Sequence, residues 1–138
     1  MPRIRKQQLV AAALRARQMA VAPYSQFQVG AALLTGSGRI VVGANVESAS
    51  YGLTCCAERV ELFKALTEGE RDFSAIAVVA RAPGGPMPCG ACRQLLAEYA
   101  PRATVFVADS GKPARVRIFK VAALLPGAFL HVPTQPRS

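Results

Sequence analysis

Two short stretches, Cys56-Ala57-Glu58-Arg59 and Pro88-Cys89-Gly90-Ala91-Cys92, set the organisation of this 138-residue chain. Together they supply three thiolates and one carboxylate, and Cys89 follows Cys56 by 33 positions. A structural zinc site is normally closed by four protein ligands, whereas a catalytic zinc keeps three and leaves the fourth position to water. The pattern therefore predicts an open zinc site beside a free carboxylate, with hydrolysis as its chemistry.

Both stretches fall where a helix is predicted to begin. One helix should start near Cys55 or Cys56 and run to about Glu68, and the next should start near Cys89. A thiol at a helix N-terminus has its pKa lowered by the partial positive charge there. Cys89 and Cys92 are three residues apart, so their side chains turn toward the same end of their helix. We therefore expect thiolates to form before a metal binds.

Two neighbours of the predicted ligands need separate interpretations. Three thiolates on Zn²⁺ leave the cluster net negative, which opposes the formation of a bound hydroxide. Arg59 is predicted to offset that charge by donating hydrogen bonds to cysteine sulfurs. Cys55 is adjacent to Cys56 but points elsewhere on a helix, so it is predicted to be a small buried apolar residue.

The rest of the chain alternates between helical and β-rich patterns. Hydrophobic periodicity and turn signals predict a helix over residues 4–22 stopped by Pro23, and strands over residues 27–34, 39–46, 75–80, 104–108 and 115–121. The first two strands are joined by Thr35-Gly36-Ser37-Gly38, which is typical of a hairpin loop. Helices between the later strands predict a mainly parallel or mixed sheet with helices packed on it. The length predicts a single domain over residues 1–138.

The charge of the chain is strongly basic. Seventeen Lys and Arg against eight Asp and Glu give a formal net charge of +9. The basic residues are scattered from Arg3 to Arg137 and form no dense run with interleaved aromatics, which favours a solvated basic surface over a nucleic-acid site. The purpose of this charge does not follow from the sequence.

The cellular compartment is predicted from the cysteines and from the apolar segments. The apolar run over residues 9–14 is too short for a secretion signal, and Arg15 and Arg17 interrupt the segment that follows. No stretch approaches the roughly 18 apolar residues that would span a bilayer. Four cysteines without an export signal predict a reduced, cytoplasmic protein whose thiols bind metal and form no disulfides.

The chain resembles the small homo-oligomeric cytidine deaminases, zinc enzymes that hydrolyse the 4-amino group of free cytidine and deoxycytidine. The blocks that carry the resemblance are the two cysteine stretches with Arg93-Gln94, the segments 24–33, 45–51 and 124–129, and Glu68-Gly69 followed by Asp72-Phe73. They cover nearly the whole chain in order. The resemblance implies a three-layer α/β/α cytidine deaminase-like fold with a mixed five-stranded sheet.

The resemblance also implies the roles of the residues in the two cysteine stretches. Cys56, Cys89 and Cys92 would hold one Zn²⁺ per subunit, and the zinc-bound hydroxide would attack C4 of the pyrimidine. Glu58 would be the catalytic residue that takes a proton from the water and delivers it to ring N3. The same carboxyl would later help to protonate the departing amine.

Substrate contacts and assembly are implied in the same way. The residues that would contact the nucleoside are Phe27, Asn45, Glu47, Tyr51, Ala57 and Phe129. Asn45 and Glu47 would hydrogen-bond ribose hydroxyls, and Phe27 would form part of the wall against the base. Phe129 would reach the ring from a neighbouring subunit, which implies a homotetramer with shared active sites. Ser48 stands where many family members have Asn, and the Pro-rich tail over residues 133–138 is short.

Three alternatives to a free-nucleoside deaminase acting in pyrimidine salvage stay open. The first is a polynucleotide cytosine deaminase, favoured by the charge but disfavoured by the ribose-binding pair and by Phe129 closing the site. The second is a non-catalytic zinc module with Cys55 as a fourth ligand, which would make Glu58 incidental. The third is a deaminase of a modified cytidine or of a cytosine-nucleoside antibiotic. Preference between ribose and deoxyribose does not follow from the sequence.

Overall fold

A computed structural model describes residues 5–131 and shows one five-stranded sheet between layers of helices. In chain order the elements are α1 (Lys6–Ala16), β1 (Val29–Thr35), β2 (Ile40–Ala44), α2 (Ala57–Thr67), β3 (Phe73–Ala80), α3 (Gly90–Tyr99), β4 (Thr104–Asp109), β5 (Val116–Lys120) and α4 (Val121–Leu124). The strand order is β2-β1-β3-β4-β5, and only β3 and β4 run parallel. The predicted mixed sheet is confirmed, with antiparallel pairs in the majority.

The three central strands are apolar along almost their whole length because both faces of the sheet are covered. One face packs against α1, where Leu9 and Val10 meet Ala77 and Phe106. The other face packs against α2 and α3, with Leu62 and Leu96 among the fully buried side chains. A strand buried on both faces is expected to be a continuous run of apolar residues, as β3 is over residues 75–80. The result is a three-layer α/β/α arrangement with two cores.

Two glycines bring helices close to the sheet. A Cβ at Gly30 in β1 would lie 2.0 Å from the carbonyl oxygen of Ala13 in α1. A Cβ at Gly43 in β2 would lie 2.7 Å from the backbone nitrogen of Glu61 in α2. Only glycine accommodates such approaches without moving the backbone of one element. Gly43 thus fixes how closely α2, which begins at the cysteine cluster, lies on the sheet.

The first helix is shorter than the sequence predicted. The prediction of a helix over residues 4–22 begins outside the described range, and its far end is wrong, because α1 stops at Ala16 and a 3-10 turn covers Arg17–Met19. Val21 instead pairs with Val46, and its N–H donates to the carbonyl of Asn45 at 2.9 Å. The segment before Pro23 is drawn out of the helix because its backbone hydrogen bonds are made to a neighbouring extended segment.

The predicted element boundaries around the two cysteine stretches need smaller corrections. The predicted strands 27–34 and 39–46 are observed as β1 and β2, and β2 ends at Ala44, so residues 45–56 cross irregularly to α2. The helix starts lie where the sequence placed them, since Cys56 is the N-cap of α2 and Cys89 the N-cap of α3. The last predicted strand ends early because α4 takes over at Val121. Between residues 5 and 131, no helix is both long and apolar enough to cross a membrane.

Candidate functional site

Three cysteine sulfurs converge where α2 and α3 begin. Cys56 and Cys89 are N-caps and Cys92 follows in the first turn of α3. The Sγ atoms of Cys56 and Cys89 are 3.9 Å apart, those of Cys89 and Cys92 are 3.4 Å apart, and all three lie within 4.8 Å of one another. Tetrahedral zinc with bonds of about 2.3 Å to sulfur places two sulfurs about 3.8 Å apart. The donor set therefore fits zinc, and Cys55 is not part of this group.

Arg59 supplies positive charge to the cysteine cluster. Its Nη2 donates to Cys56 Sγ at 3.4 Å and to the carbonyl oxygen of Thr54 at 3.3 Å. Its Nε is buried, and in the described part of the chain it has no hydrogen-bond partner. A spare buried donor suits a cluster in which three thiolates outweigh the charge of one Zn²⁺. The guanidinium is thus in position to balance the cluster and to fix Cys56.

The cysteine pKa values show which sulfur loses its proton first. A hydrogen bond from Cys92, with the hydrogen bond and charge of Arg59 behind it, lowers the pKa of Cys56 to about 5. The pKa of Cys92 is raised in turn, because its proton is the one shared with the Cys56 sulfur. The cluster therefore holds a thiolate at Cys56 near neutral pH, which prepares it for a cation.

Glu58 lies next to the sulfurs in the first turn of α2. Its side chain is only 6% exposed and hydrogen-bonds Cys92. Burial raises the pKa of Glu58 to about 7, and the charge of Cys56 acts in the same direction. A carboxyl group with a pKa near the working pH can both accept and release a proton. Its position and ionisation are those of a proton carrier beside the metal ligands.

A cavity of about 410 Å³ extends to Thr54, two residues before Cys56. The described residues that line it are Tyr24, Ser25, Glu47, Ser48, Tyr51 and Thr54. Thr54 connects the cavity to the cluster, because its carbonyl oxygen accepts a hydrogen bond from Arg59, which also bonds Cys56. This volume is within the range of small-ligand sites. Among the lining residues there is one carboxylate and no Lys or Arg.

Glu47 is held in the cavity wall by the turn that precedes β1. Its Oε1 accepts the backbone N–H groups of Tyr24 and Ser25, each at 3.0 Å, and its Oε2 accepts the Ser25 hydroxyl. These donors, the Ser25 hydroxyl first, lower the pKa of Glu47 below its ordinary value. The carboxylate is therefore ionised and oriented.

Asn45 is bonded mainly to its own chain. The side chain is 7% exposed, its Nδ2 donates to the carbonyl of Phe27 at 2.8 Å, and its Oδ1 accepts the N–H of Val29 at 2.9 Å. An amide group carries two N–H donors, so one remains for a ligand. The structure brings Asn45 next to the backbone of Phe27, and it places Glu47 in the cavity wall.

The aromatic residues named from the sequence lie at the surface. Phe27 is 41% exposed, Tyr51 84% and Phe129 64%. Tyr51 lines the cavity, whereas Phe27 and Phe129 do not line it. The carbonyl of Phe129 accepts a hydrogen bond of 2.7 Å from Gln94 on α3, which holds the backbone at Phe129 against that helix. Ala57 is fully buried at the start of α2.

Sequence reasoning missed several contributors to the site. Tyr24 and Ser25 had appeared only as part of a matching block, and Thr54 had not been singled out, although it lies just before the cysteines. Arg93 was likewise named only in a matching block, with no role assigned: it donates to the carbonyl of Pro88 at 2.8 Å and to that of Leu124 at 3.1 Å, which holds the Cys89 loop. These contacts depend on where irregular backbone folds, and a spacing pattern carries no signal for that.

Comparison with known proteins extends over nearly the whole chain. The family model described as "Cytidine and deoxycytidylate deaminase zinc-binding region" matches residues 3–108, which include both cysteine stretches. A cytidine deaminase of Halalkalibacterium halodurans is 52% identical over 125 residues, covering 90% of this chain and 93% of that protein. The crystal structure of a cytidine deaminase from Burkholderia pseudomallei aligns with a TM-score of 0.87 at 47% identity, covering 91% of this chain and 100% of that one. A more distant relative, the blasticidin-S deaminase of Bacillus cereus, is 30% identical over 108 residues, or 72% of this chain and 77% of that protein.

Proposed function

The chain belongs to the family of zinc-binding cytidine and deoxycytidylate deaminases, and from that premise we propose that it hydrolyses cytidine and deoxycytidine to uridine and deoxyuridine. Water is consumed and ammonia is released. The observation that carries the proposal is the convergence of three cysteine sulfurs on a buried glutamate whose pKa is about 7. Ligands for one zinc and a proton carrier are the two components that this hydrolysis needs.

Cys56, Cys89 and Cys92 would hold the zinc of each subunit, with Arg59 balancing the charge of their thiolates. Zinc held there would supply Lewis acidity that lowers the pKa of a water molecule toward about 7. Glu58 would accept one proton of the attacking water and deliver it to N3 of the pyrimidine as the water oxygen adds to C4. It would then take the remaining proton of that oxygen and pass it to the amino nitrogen, which leaves as ammonia. The raised pKa of Glu58 supports this cycle between two protonation states.

The cavity beside the cluster would bind the nucleoside. Glu47 is a fixed acceptor suited to a sugar hydroxyl, and the remaining N–H of Asn45 is a donor at the same edge of the sheet. Tyr51 lines the cavity, and Phe27 would flank the base. Ala57 would contact the base from the first turn of α2. Conversion of cytidine to uridine in the cytoplasm would place the enzyme in pyrimidine salvage.

A homotetramer with shared sites would complete the binding site. Tyr51 and Phe129 are largely exposed in the single chain, and so are Tyr24, Val46 and Leu53; of these five, Tyr24 and Tyr51 line the cavity. A cluster of exposed large apolar side chains is typical of a surface that contacts another protein. Phe129 of a neighbouring subunit would then close the site over the base, as a stacking contact of about 1–3 kcal/mol.

Two of the alternative functions find less support. A polynucleotide substrate would bring phosphates to a cavity whose described lining has one carboxylate and no cation. A closed four-cysteine zinc module would need Cys55, whose sulfur is outside the group of three. A deaminase of a cytosine-nucleoside antibiotic remains the second candidate, because the blasticidin-S deaminase relative is 30% identical over most of the chain.

The test follows the loss of cytidine absorbance as uridine forms, with zinc-replete protein and with protein stripped by a chelator. We expect turnover of cytidine and deoxycytidine that disappears on chelation and returns with zinc. The same assay with blasticidin S distinguishes the second candidate. Turnover of the antibiotic but of neither nucleoside would replace the proposed function with that one.

A further inference from the structure

The hydroxyl of Ser25 links two parts of the nucleoside site. It donates to Glu47 Oε2 and accepts the backbone N–H of Phe27 at 3.0 Å. One side chain therefore joins the carboxylate in the cavity wall to the backbone of the residue expected against the base. Asn45 holds the same stretch of backbone, because its Oδ1 accepts the N–H of Val29 and its Nδ2 donates to the carbonyl of Phe27.

The backbone around Ser25 is shaped to make this link. Gln26 has a φ of 58°, the only positive value for a non-glycine among the described residues, and its N–H donates to the carbonyl of Ala22 at 3.0 Å. A side chain in the left-handed region is strained and persists only where neighbouring contacts fix it. The kink at Gln26 turns the N–H of Phe27 back toward the Ser25 hydroxyl, so both contacts of that hydroxyl fix the strained residue.

The hydrogen bonds to Glu47 leave one acceptor position open. An ionised carboxylate offers about four lone-pair positions, two on each oxygen. Oε1 is occupied by the N–H groups of Tyr24 and Ser25, and Oε2 accepts only the Ser25 hydroxyl. The remaining position is therefore on Oε2, the oxygen that Ser25 holds, in a residue that lines the cavity. A ligand hydroxyl would share its acceptor atom with the hydroxyl of Ser25.

We propose that Ser25 is a positioning residue for sugar recognition: by holding Glu47 Oε2 it aims the free acceptor position at a sugar hydroxyl of the nucleoside. This inference rests on the proposed function, because that function makes a nucleoside the ligand. Ser25 acts through Glu47 and Phe27 and does not take part in proton transfer. Its removal should weaken the recognition of one hydroxyl and leave the chemical step nearly unchanged.

The test combines Ser25→Ala with nucleosides that lack single hydroxyls. Dissociation constants of zinc-loaded protein for uridine, 2′-deoxyuridine and 3′-deoxyuridine are measured by calorimetry, and kcat and KM are measured with the matching cytidines. In the parent protein one of the two deoxy compounds should bind more weakly. In Ser25→Ala the affinity for uridine should fall roughly tenfold. The ratio between the dissociation constants of the weaker-binding deoxy compound and of uridine should shrink by the same factor. KM should rise while kcat changes less than about threefold.

Two variants control for folding. Ser25→Thr keeps the hydroxyl and should restore the discrimination between hydroxyls. Ser37→Ala removes a hydroxyl that bonds Thr35 in the hairpin loop, outside the described cavity lining, and should leave all dissociation constants unchanged. Thermal melting and zinc content verify that each variant is folded and loaded.

Three results would be decisive. A uniform loss of affinity for all three uridines in Ser25→Ala, with the hydroxyl penalty intact, would overturn the proposal and leave Ser25 as a brace of the turn. An unchanged affinity would overturn it as well. If the parent protein binds uridine with the expected dependence on Ser25 but turns over no cytidine, the positioning role holds and the proposed function fails.

Discussion

The cysteine cluster and the cavity wall lie side by side but are built from different kinds of backbone. The cluster stands on the first residues of α2 and α3, whose axes are fixed by the apolar core on one face of the sheet. The residues that line the cavity belong to the segments 20–28 and 45–54, which contain one 3-10 turn, isolated bridges and the left-handed Gln26. In α2 and α3 the backbone hydrogen bonds are made within each helix, so the side chains at the helix starts remain free for a metal. In the wall, polar side chains are largely used to hold the backbone itself.

The two regions also differ in charge. The cluster concentrates thiolates and the buried Glu58 next to the cation Arg59, and there hydrogen bonds lower the pKa of Cys56 while burial raises that of Glu58. The cavity wall carries one carboxylate, Glu47, which donors from a single turn keep ionised. Under the proposed function, the chemical step would rest on the cluster and recognition on the cavity wall, and a hydrogen bond between Thr54 and Arg59 joins the two regions. Substitutions should therefore affect either the chemical step or binding, according to region.

Replacing Glu58 with Gln should produce the largest effect. Gln keeps the size of the side chain but cannot carry the proton, so kcat for cytidine should fall by about three orders of magnitude. Zinc content, measured by metal analysis, should stay at one per subunit, and the affinity for uridine should change little. Loss of zinc together with activity would show that the carboxyl holds the cluster together, and unchanged activity would remove Glu58 from the reaction.

The same contrast explains how much of the fold could be predicted from the sequence. The five strands and the starts of α2 and α3 were predictable because apolar periodicity, glycine turns and helix N-terminal signals are local. The end of α1 was not, because Val21 leaves the helix to pair with Val46, a partner 25 positions away. α4 was missed for a related reason: its four residues are too few to show a helical period.

The site divides in the same way. Cys56, Cys89, Cys92 and Glu58 could be placed together because two helix starts present them at fixed spacing. The network of Ser25 could not be foreseen, since it depends on a positive φ at one residue and on a carboxylate 22 positions away. Nor could a spacing argument show that Asn45 would be occupied by the backbone of Phe27 and Val29.

Replacing Arg59 with Ala tests whether its positive charge stabilises zinc binding at the cysteine cluster. Zinc affinity, measured by competition with a chromophoric chelator, should fall by about 10- to 100-fold, since a residue that hydrogen-bonds a ligand sulfur is lost. Arg71→Ala is the matched control, because within the described chain Arg71 donates to the carbonyls of Leu66, in the last turn of α2, and of Glu70, just after it, and to no cysteine. Equal zinc affinity in both variants would mean that Arg59 does not stabilise the cluster.

Replacing Phe129 with Ala tests whether the cavity is completed by a neighbouring subunit. We expect KM for cytidine to rise about tenfold through the loss of a stacking contact, with little change in zinc content. Phe129→Ala subunits are then mixed with inactive Glu58→Gln subunits and reassembled. A low KM for cytidine should return in the sites that combine Glu58 of the first variant with Phe129 of the second. Such rescue requires Phe129 and Glu58 of one site to come from different chains. Failure of rescue in verified mixed oligomers would assign Phe129 to its own subunit.

Glu61 offers the smallest test, and it concerns stability. It lies on α2, one turn beyond Glu58, and is fully buried, with both carboxyl oxygens lacking hydrogen-bond partners in the described chain. Burial, and after it the charge of Glu58, raises its pKa well above the ordinary value, with Lys64 opposing. The neighbouring strands β1 and β2 carry no ionisable side chain. The folded protein therefore buries Glu61 as a neutral acid that nothing else stabilises.

This burial predicts a stability that declines as the solution becomes more basic. Above the unfolded pKa of about 4.3 the unfolded chain has released the Glu61 proton while the folded chain retains it, so the free energy of unfolding falls by about 1.4 kcal/mol per pH unit until the raised folded pKa is reached. Glu61→Met fills the same space without a charge and removes this slope; Glu58 keeps its own pH dependence in both proteins, altered only by the loss of its charge interaction with Glu61. The variant should melt above the parent by a margin that grows from pH 5 to pH 8, at about 4 °C for each kcal/mol of stability. A melting difference that is the same at both pH values would show that Glu61 does not bury a proton.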